Sequence, residues 1–192
     1  MKAPELTPWA CIFWAGLLLT LPGPCLGAAF LGAAFHEACH ILAIWALGGR
    51  MEEMTVGPFG AVIRVSGLSY GREFLAAAAG PAGSLLLLAI LRAFPRLSLC
   101  GLIQGTFNLL PLYPLDGGRM VFCLFCLAFS QDQAVLFLEI LRKVLVFILS
   151  AWGLFLGFRH SPAFLPLVFA LISIFSTEYR KNPCNAGYTR VQ

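Results

Sequence analysis

The stretch LGAAFLGAAFHEACHILAIWAL, residues 26–47, decides the fold. It is apolar throughout except for His36, Glu37 and His40. A run of this length crosses a hydrocarbon core, which takes about 20 apolar residues. Ionisable groups in mid-span cost about 2.5–3.5 kcal/mol each on insertion scales and mark functional sites by default. Pro22-Gly23-Pro24 separate the run from the apolar segment before it, and Gly48-Gly49 end it.

Composition agrees with a membrane protein. Of the 192 residues, 59% are hydrophobic and only 11% charged, against about 25% charged in a soluble domain. One bundle accounts for the whole length, residues 1–192. The net charge of +4 is too small to argue for nucleic acid and reads instead as topology. The seven cysteines are odd in number and sit mostly in apolar runs, which speaks against a disulfide framework. Cys123 and Cys126 form a C-x-x-C with apolar flanks and no second pair, so they read as small apolar helix residues. Lys2 followed by the run from Trp9 to Leu21 fits a signal peptide or a first membrane helix.

Six candidate spans follow, at about 8–21, 26–47, 73–92, 97–113, 144–158 and 161–177. The fifth can begin earlier, because 132–143 is an amphipathic helical stretch that runs into it. Residues 118–129 are apolar but short, and suit a re-entrant or interfacial helix. Residues 50–72 differ in kind. Met54-Thr55-Val56 and Ala61-Val62-Ile63-Arg64-Val65 have strand character around Gly57-Pro58-Phe59-Gly60, a hairpin signal. An isolated hairpin is unstable in water, so this one packs on the bundle or dips into it. The expected fold is an all-α membrane bundle of about six transmembrane helices with a small membrane-associated β-hairpin. With the N-terminus inside, Lys2, Arg50, Arg64, Arg72, Arg119, Arg142, Lys143, Arg180, Lys181 and Arg190 lie on the inner side, and Arg92, Arg96 and Arg159 on the outer. This asymmetry obeys the positive-inside rule and puts both termini and the hairpin in the cytoplasm of a multi-pass cell-membrane protein.

His36-Glu37-Ala38-Cys39-His40 carries the chemistry. Residues four apart share a helix face, so both imidazoles reach one metal ion. Glu37 projects beside them as a general base. Shuffled chains of this composition would show the pattern on the order of twice in a thousand, so chance does not explain it. The bland alternative is a helix with buried, mutually hydrogen-bonded polar groups. Catalytic zinc takes three protein ligands and an open position. His160 falls in a predicted outer loop, a span away. Of the two aspartates, Asp132 sits in a polar surface stretch and reads as a helix-start residue. Asp116 follows Asn108-Leu109-Leu110-Pro111-Leu112-Tyr113-Pro114-Leu115 and precedes Gly117-Gly118. Irregular backbone at membrane depth is tolerated only when protein-buried or lining a wet cavity, so Asp116 belongs at a cavity edge. Taken alone, it could equally be a turn residue.

The combination of His-Glu-x-x-His with Asn-x-x-Pro-x-x-x-Leu-Asp-Gly resembles the site-2 protease family of intramembrane zinc metalloproteases. The match covers a catalytic core of about 26–120, containing the hairpin at about 50–72. The flanking regions, 1–25 and 121–180, resemble the six-span group that includes the sporulation factor processing protease. The resemblance implies Zn2+ on His36, His40 and Asp116, acid/base work by Glu37, and a substrate or oxyanion contact from Asn108. Gly80-Pro81-Ala82-Gly83-Ser84 is similar to the family's Gly-Pro-x-x-Asn, with Ser84 where asparagine is usual and no role assigned to it. The hairpin is similar to the family's membrane-associated β-loop, and the chain leaves no room for a PDZ or CBS domain. The implied activity is endoproteolysis within or beside a transmembrane segment of a membrane protein, in the lipid bilayer, in regulated proteolysis. Two other readings remain. One is another membrane H-E-x-x-H peptidase, such as the prenyl-protein protease type, with a downstream glutamate as third ligand. The other is a catalytically silent membrane scaffold.

Overall fold

The structure is a computed structural model and describes residues 5–6, 22–57, 60–113 and 115–159. The expected spans at 8–21 and 161–177, and His160, lie outside the described residues. The chain forms β1 (Glu5–Leu6), α1 (Gly23–Ala46), β2 (Arg50–Gly57), β3 (Gly60–Ser66), α2 (Tyr70–Leu86), a 3-10 turn at Leu87–Ile90, α3 (Pro95–Asn108), α4 (Asp116–Ala128) and α5 (Gln131–Arg159). It is mostly helical, with one small sheet.

α1 is the predicted second span. Pro22 caps it and Pro24 falls in its first turn, where the missing N–H would find no helical partner anyway. It ends in a Schellman arrangement: Gly49 N–H donates to Ile44 O at 2.9 Å and Gly48 N–H to Trp45 O at 3.1 Å. Gly48 supplies the left-handed φ of +80° that this turn needs. The chain passes directly into β2.

β2 and β3 form the predicted antiparallel hairpin, longer than the strand pattern suggested, with Arg50 opposite Ser66 and Gly57 opposite Gly60. A register shift between Met51 and Glu53 leaves Glu52 as an extra residue on β2. Glu53 pairs across the strands with Arg64 at 2.7 Å. The sheet also holds β1, which runs parallel to β2 and was not foreseen; the order is β1-β2-β3, so β3 is an outer strand. The hairpin packs on the bundle, as an isolated hairpin must. Ile63 is buried against Ile44 of α1 and Ala76 of α2, with Met51, Met54, Val65 and Leu68 around them.

The helices meet on small residues. Gly32 of α1 faces Gly101 of α3, and Gly101 and Gly105 of α3 face Leu87 and Ser84 at the end of α2. Small residues let membrane helices approach closely where lipid offers no hydrophobic drive to associate. Outward faces are apolar: Leu31, Leu42, Trp45, Ile103, Phe147 and Trp152 are all exposed. Among the described residues, two segments, Gly23–Ala46 and Tyr70–Ile90, are long and apolar enough to cross a membrane.

Two segments that the sequence reading left open take definite form. Residues 118–128 lie in a short helix, α4, that starts at Asp116 and packs on α2. The amphipathic stretch 132–143 and the span at 144–158 form one continuous helix, α5, so the fifth helix does begin early. Between α3 and α4 the chain turns irregularly through Leu109–Leu115, where Leu112 and Leu115 bury themselves against Phe107, Leu110, Leu145 and Val146.

Candidate metal centre

α1 presents His36 and His40 one turn apart toward α2, and both rings are buried, His36 completely. α2 can approach this closely because residue 80 is glycine. A Cβ there would lie 2.1 Å from His40 Nε2 and 2.7 Å from His36 Nε2. α4 brings the third group. Asp116 is its first residue, where a carboxylate is favoured by the helix dipole. The following glycines are required by packing: a Cβ on Gly117 would fall 2.2 Å from Leu109 O, and one on Gly118 2.6 Å from Leu112 C. Asp-Gly-Gly therefore lets the first turn of α4 rest on the backbone of the preceding loop.

The three side chains converge. Asp116 Oδ2 lies 2.9 Å from His36 Nε2 and 3.1 Å from His40 Nε2. The two Nε2 atoms are 3.2 Å apart, with the rings edge to face. His40 Nδ1 donates to Ala76 O at 2.8 Å. In the neutral ring this leaves a lone pair on Nε2, the tautomer a metal needs. Two ring nitrogens and a carboxylate oxygen turned toward one point need a proton or a metal cation among them to hold together. Bonds of about 2.0–2.1 Å to a tetrahedral zinc put ligand atoms about 3.3 Å apart, close to the separations found. The donor set and the space left by Gly80 fit such an ion.

Asn108, the last residue of α3, is buried with its Nδ2 2.9 Å from His36 Nε2. Glu37 follows His36 on α1 and is half-buried. Among the described residues, His36, His40 and Asp116 are the one group of three metal-binding side chains. The described glutamates that could have replaced Asp116 are engaged elsewhere or exposed. Glu53 pairs with Arg64, Glu73 with Arg119 and Glu139 with Lys143, and Glu52 is exposed. Asp132 is exposed in the first turn of α5, as expected. Cys123 and Cys126 are free thiols.

Some participants have no role assigned from the sequence, although Ser84 stands out within its Gly-Pro-x-x-Ser motif. Ser84 Oγ lies 2.8 Å from His36 Nδ1, and Ala76 serves through its carbonyl. Glu73 and Arg119, 3.1 Å apart, tie α2 to α4 just beyond Asp116.

No family model matches the chain. Its fold matches the solved site-2 protease from Methanocaldococcus jannaschii, with a TM-score of 0.73 at 21% identity, covering 95% of this chain and 94% of that one. In sequence it is 26% identical over 157 residues to the zinc metalloprotease MJ0392 of that organism, covering 74% of this chain. It is 36% identical over 131 residues, 58% of this chain, to Rip3 of Mycobacterium tuberculosis, whose name assigns it the same class provisionally. The chain is thus similar in sequence to proteins named as zinc metalloproteases and has the fold of a site-2 protease. It spans 44% and 32% of the lengths of those two relatives.

Proposed function

We propose that the chain is an intramembrane zinc endopeptidase that hydrolyses a peptide bond within or beside a transmembrane segment of a membrane protein. The observation that carries this reading is the convergence of His36 Nε2, His40 Nε2 and Asp116 Oδ2 inside an apolar bundle. The sequence relatives are named as zinc metalloproteases, which agrees. His36, His40 and Asp116 hold the ion. Zinc, when bound, supplies Lewis acidity and makes water a nucleophile near neutral pH.

The chain's own groups do the rest. Glu37 takes a proton from the attacking water and returns it to the leaving amine, as a general base and then acid. The Asn108 amide, beside the imidazole of His36, donates to the carbonyl oxygen as negative charge builds there. A helical substrate hides its scissile carbonyl in hydrogen bonds and has to be extended first. β3, an outer strand of the sheet among the described residues, offers an edge for pairing with the extended chain.

In this reading the protein is one membrane-embedded unit of six spans. Its core is about 26–120, and the hairpin and both termini face the cytoplasm. The test is cleavage of a transmembrane reporter by the purified chain, with and without chelator. A zinc-loaded protein with Glu37 intact that cuts no reporter at all would favour the silent scaffold.

A further inference from the structure

We propose that Ser84 is a positioning residue: its hydroxyl accepts a hydrogen bond from His36 Nδ1–H and fixes the ring tautomer that can hold the metal. The inference rests on the metal reading of the site and goes beyond it by assigning the group that sets the ligand state of His36. A neutral imidazole has one N–H, and only the bare nitrogen can be a ligand. His40 has its proton placed by the carbonyl of Ala76, which can only accept. His36 has no carbonyl in that position. Its Nδ1 meets Ser84 Oγ at 2.8 Å, with both residues fully buried.

A hydroxyl can accept or donate, so the other side of the ring decides the direction. Nε2 is the nitrogen turned to the point where His40 Nε2 and Asp116 Oδ2 converge, 3.2 and 2.9 Å away. With a metal ion held at that point Nε2 supplies the lone pair, so Nδ1 carries the proton and Ser84 accepts it. The position of Ser84 is fixed from behind. Gly105 of α3 lies so close that a Cβ on it would come 2.8 Å from Ser84 Cβ and 3.5 Å from Oγ. The glycine lets α3 press on Ser84 and hold the hydroxyl over Nδ1.

Partners of this kind are worth about 10- to 100-fold in metal affinity. The experiment measures zinc affinity by chelator competition on the purified full-length chain in detergent, for wild type, Ser84→Ala, Ser84→Cys and Ser84→Thr. Ser84→Ala should bind zinc about 10- to 100-fold more weakly. Ser84→Cys, with a weak acceptor of similar shape, should fall between, and Ser84→Thr, which keeps the hydroxyl, should lie nearest wild type. The second readout is the imidazole N–H spectrum of the zinc-loaded, histidine-labelled chain, which has only three histidines. In Ser84→Ala the His36 Nδ1–H resonance should lose its downfield, hydrogen-bonded shift while that of His40 stays. Wild-type zinc affinity and an unmoved His36 resonance in both Ser84→Ala and Ser84→Cys would overturn the proposal. Failure of the wild-type chain to bind zinc would instead overturn the metal reading beneath it.

Discussion

Gly80 contributes to the site by lacking a side chain. In a helix interior, alanine is favoured over glycine by about 1 kcal/mol, so Gly80→Ala should leave α2 as helical as before or more so. Yet its Cβ would lie 2.1 Å from His40 Nε2. The expected outcome is a folded protein, by thermal melting of the metal-free form, that elemental analysis finds without zinc. Glu37→Gln and Asp116→Asn should fail in different ways. The first removes the proposed base and leaves the three proposed ligands, so zinc content should match wild type while reporter cleavage falls about 10²–10⁴-fold. The second replaces a charged oxygen donor by a neutral one, so zinc and activity should fall together. Full zinc and full activity in Asp116→Asn would place the third ligand elsewhere. The groups these tests address were legible in the sequence to different degrees. His36, Glu37, His40 and Asp116 stand out because ionisable side chains are out of place in apolar runs. Gly80 and Ser84 stand out only as the ends of a Gly-Pro-x-x-Ser motif with no role attached, and Ala76 acts through a backbone carbonyl that no side-chain pattern reveals.

Among the elements, α4 is the one whose placement its own sequence says least about. Thirteen residues make a helix of about 20 Å, short of a hydrocarbon core of about 30 Å, so 118–129 read as re-entrant or interfacial. What places it is a contact far away in the chain. Arg119 Nη2 meets Glu73 Oε1 at 3.1 Å across 46 residues of sequence, with Glu73 buried in the first turn of α2. Composition cannot reveal that pairing. Arg119 lies one helical turn beyond Asp116, so the ion pair holds the turn that presents the carboxylate. Glu73→Gln would leave the Arg119 charge half-buried without its carboxylate, a change on the order of 3 kcal/mol. Thermal melting in detergent should show the loss, and chelator competition should show weaker zinc binding, because Asp116 rides on the loosened helix. A Glu73→Gln chain with unchanged melting and zinc affinity would remove the ion pair from any part in placing α4. The hairpin was easier to read. Its strands alternate and glycines bound its turn, though the short β1, far off in sequence, gave no sign of joining it.

For the whole molecule, the arrangement of charges gives the proposed topology a direct test. Single cysteines at positions 53 and 94, on a cysteine-depleted background, should differ in intact cells. An impermeant thiol reagent should label the second and spare the first, and the reverse pattern would invert the topology. The joint between α1 and the sheet has a further consequence. The Schellman turn at Gly48 and Gly49 leads from the helix that carries both histidines straight into β2, and beyond the bulge at Glu52 β3 is registered against β2 from Glu53 to Gly57. If the proposed proteolysis takes place at the histidines, the sheet edge is a ruler fixed to the scissors. A peptide laid along it can be reset only in steps of two residues, because a step of one would turn every side chain to the opposite face. Cleavage products of one substrate should therefore differ in length by two residues. Mass spectrometry of the released fragments would show that spacing, and an even spread over every position would mean that the sheet edge does not set the cut.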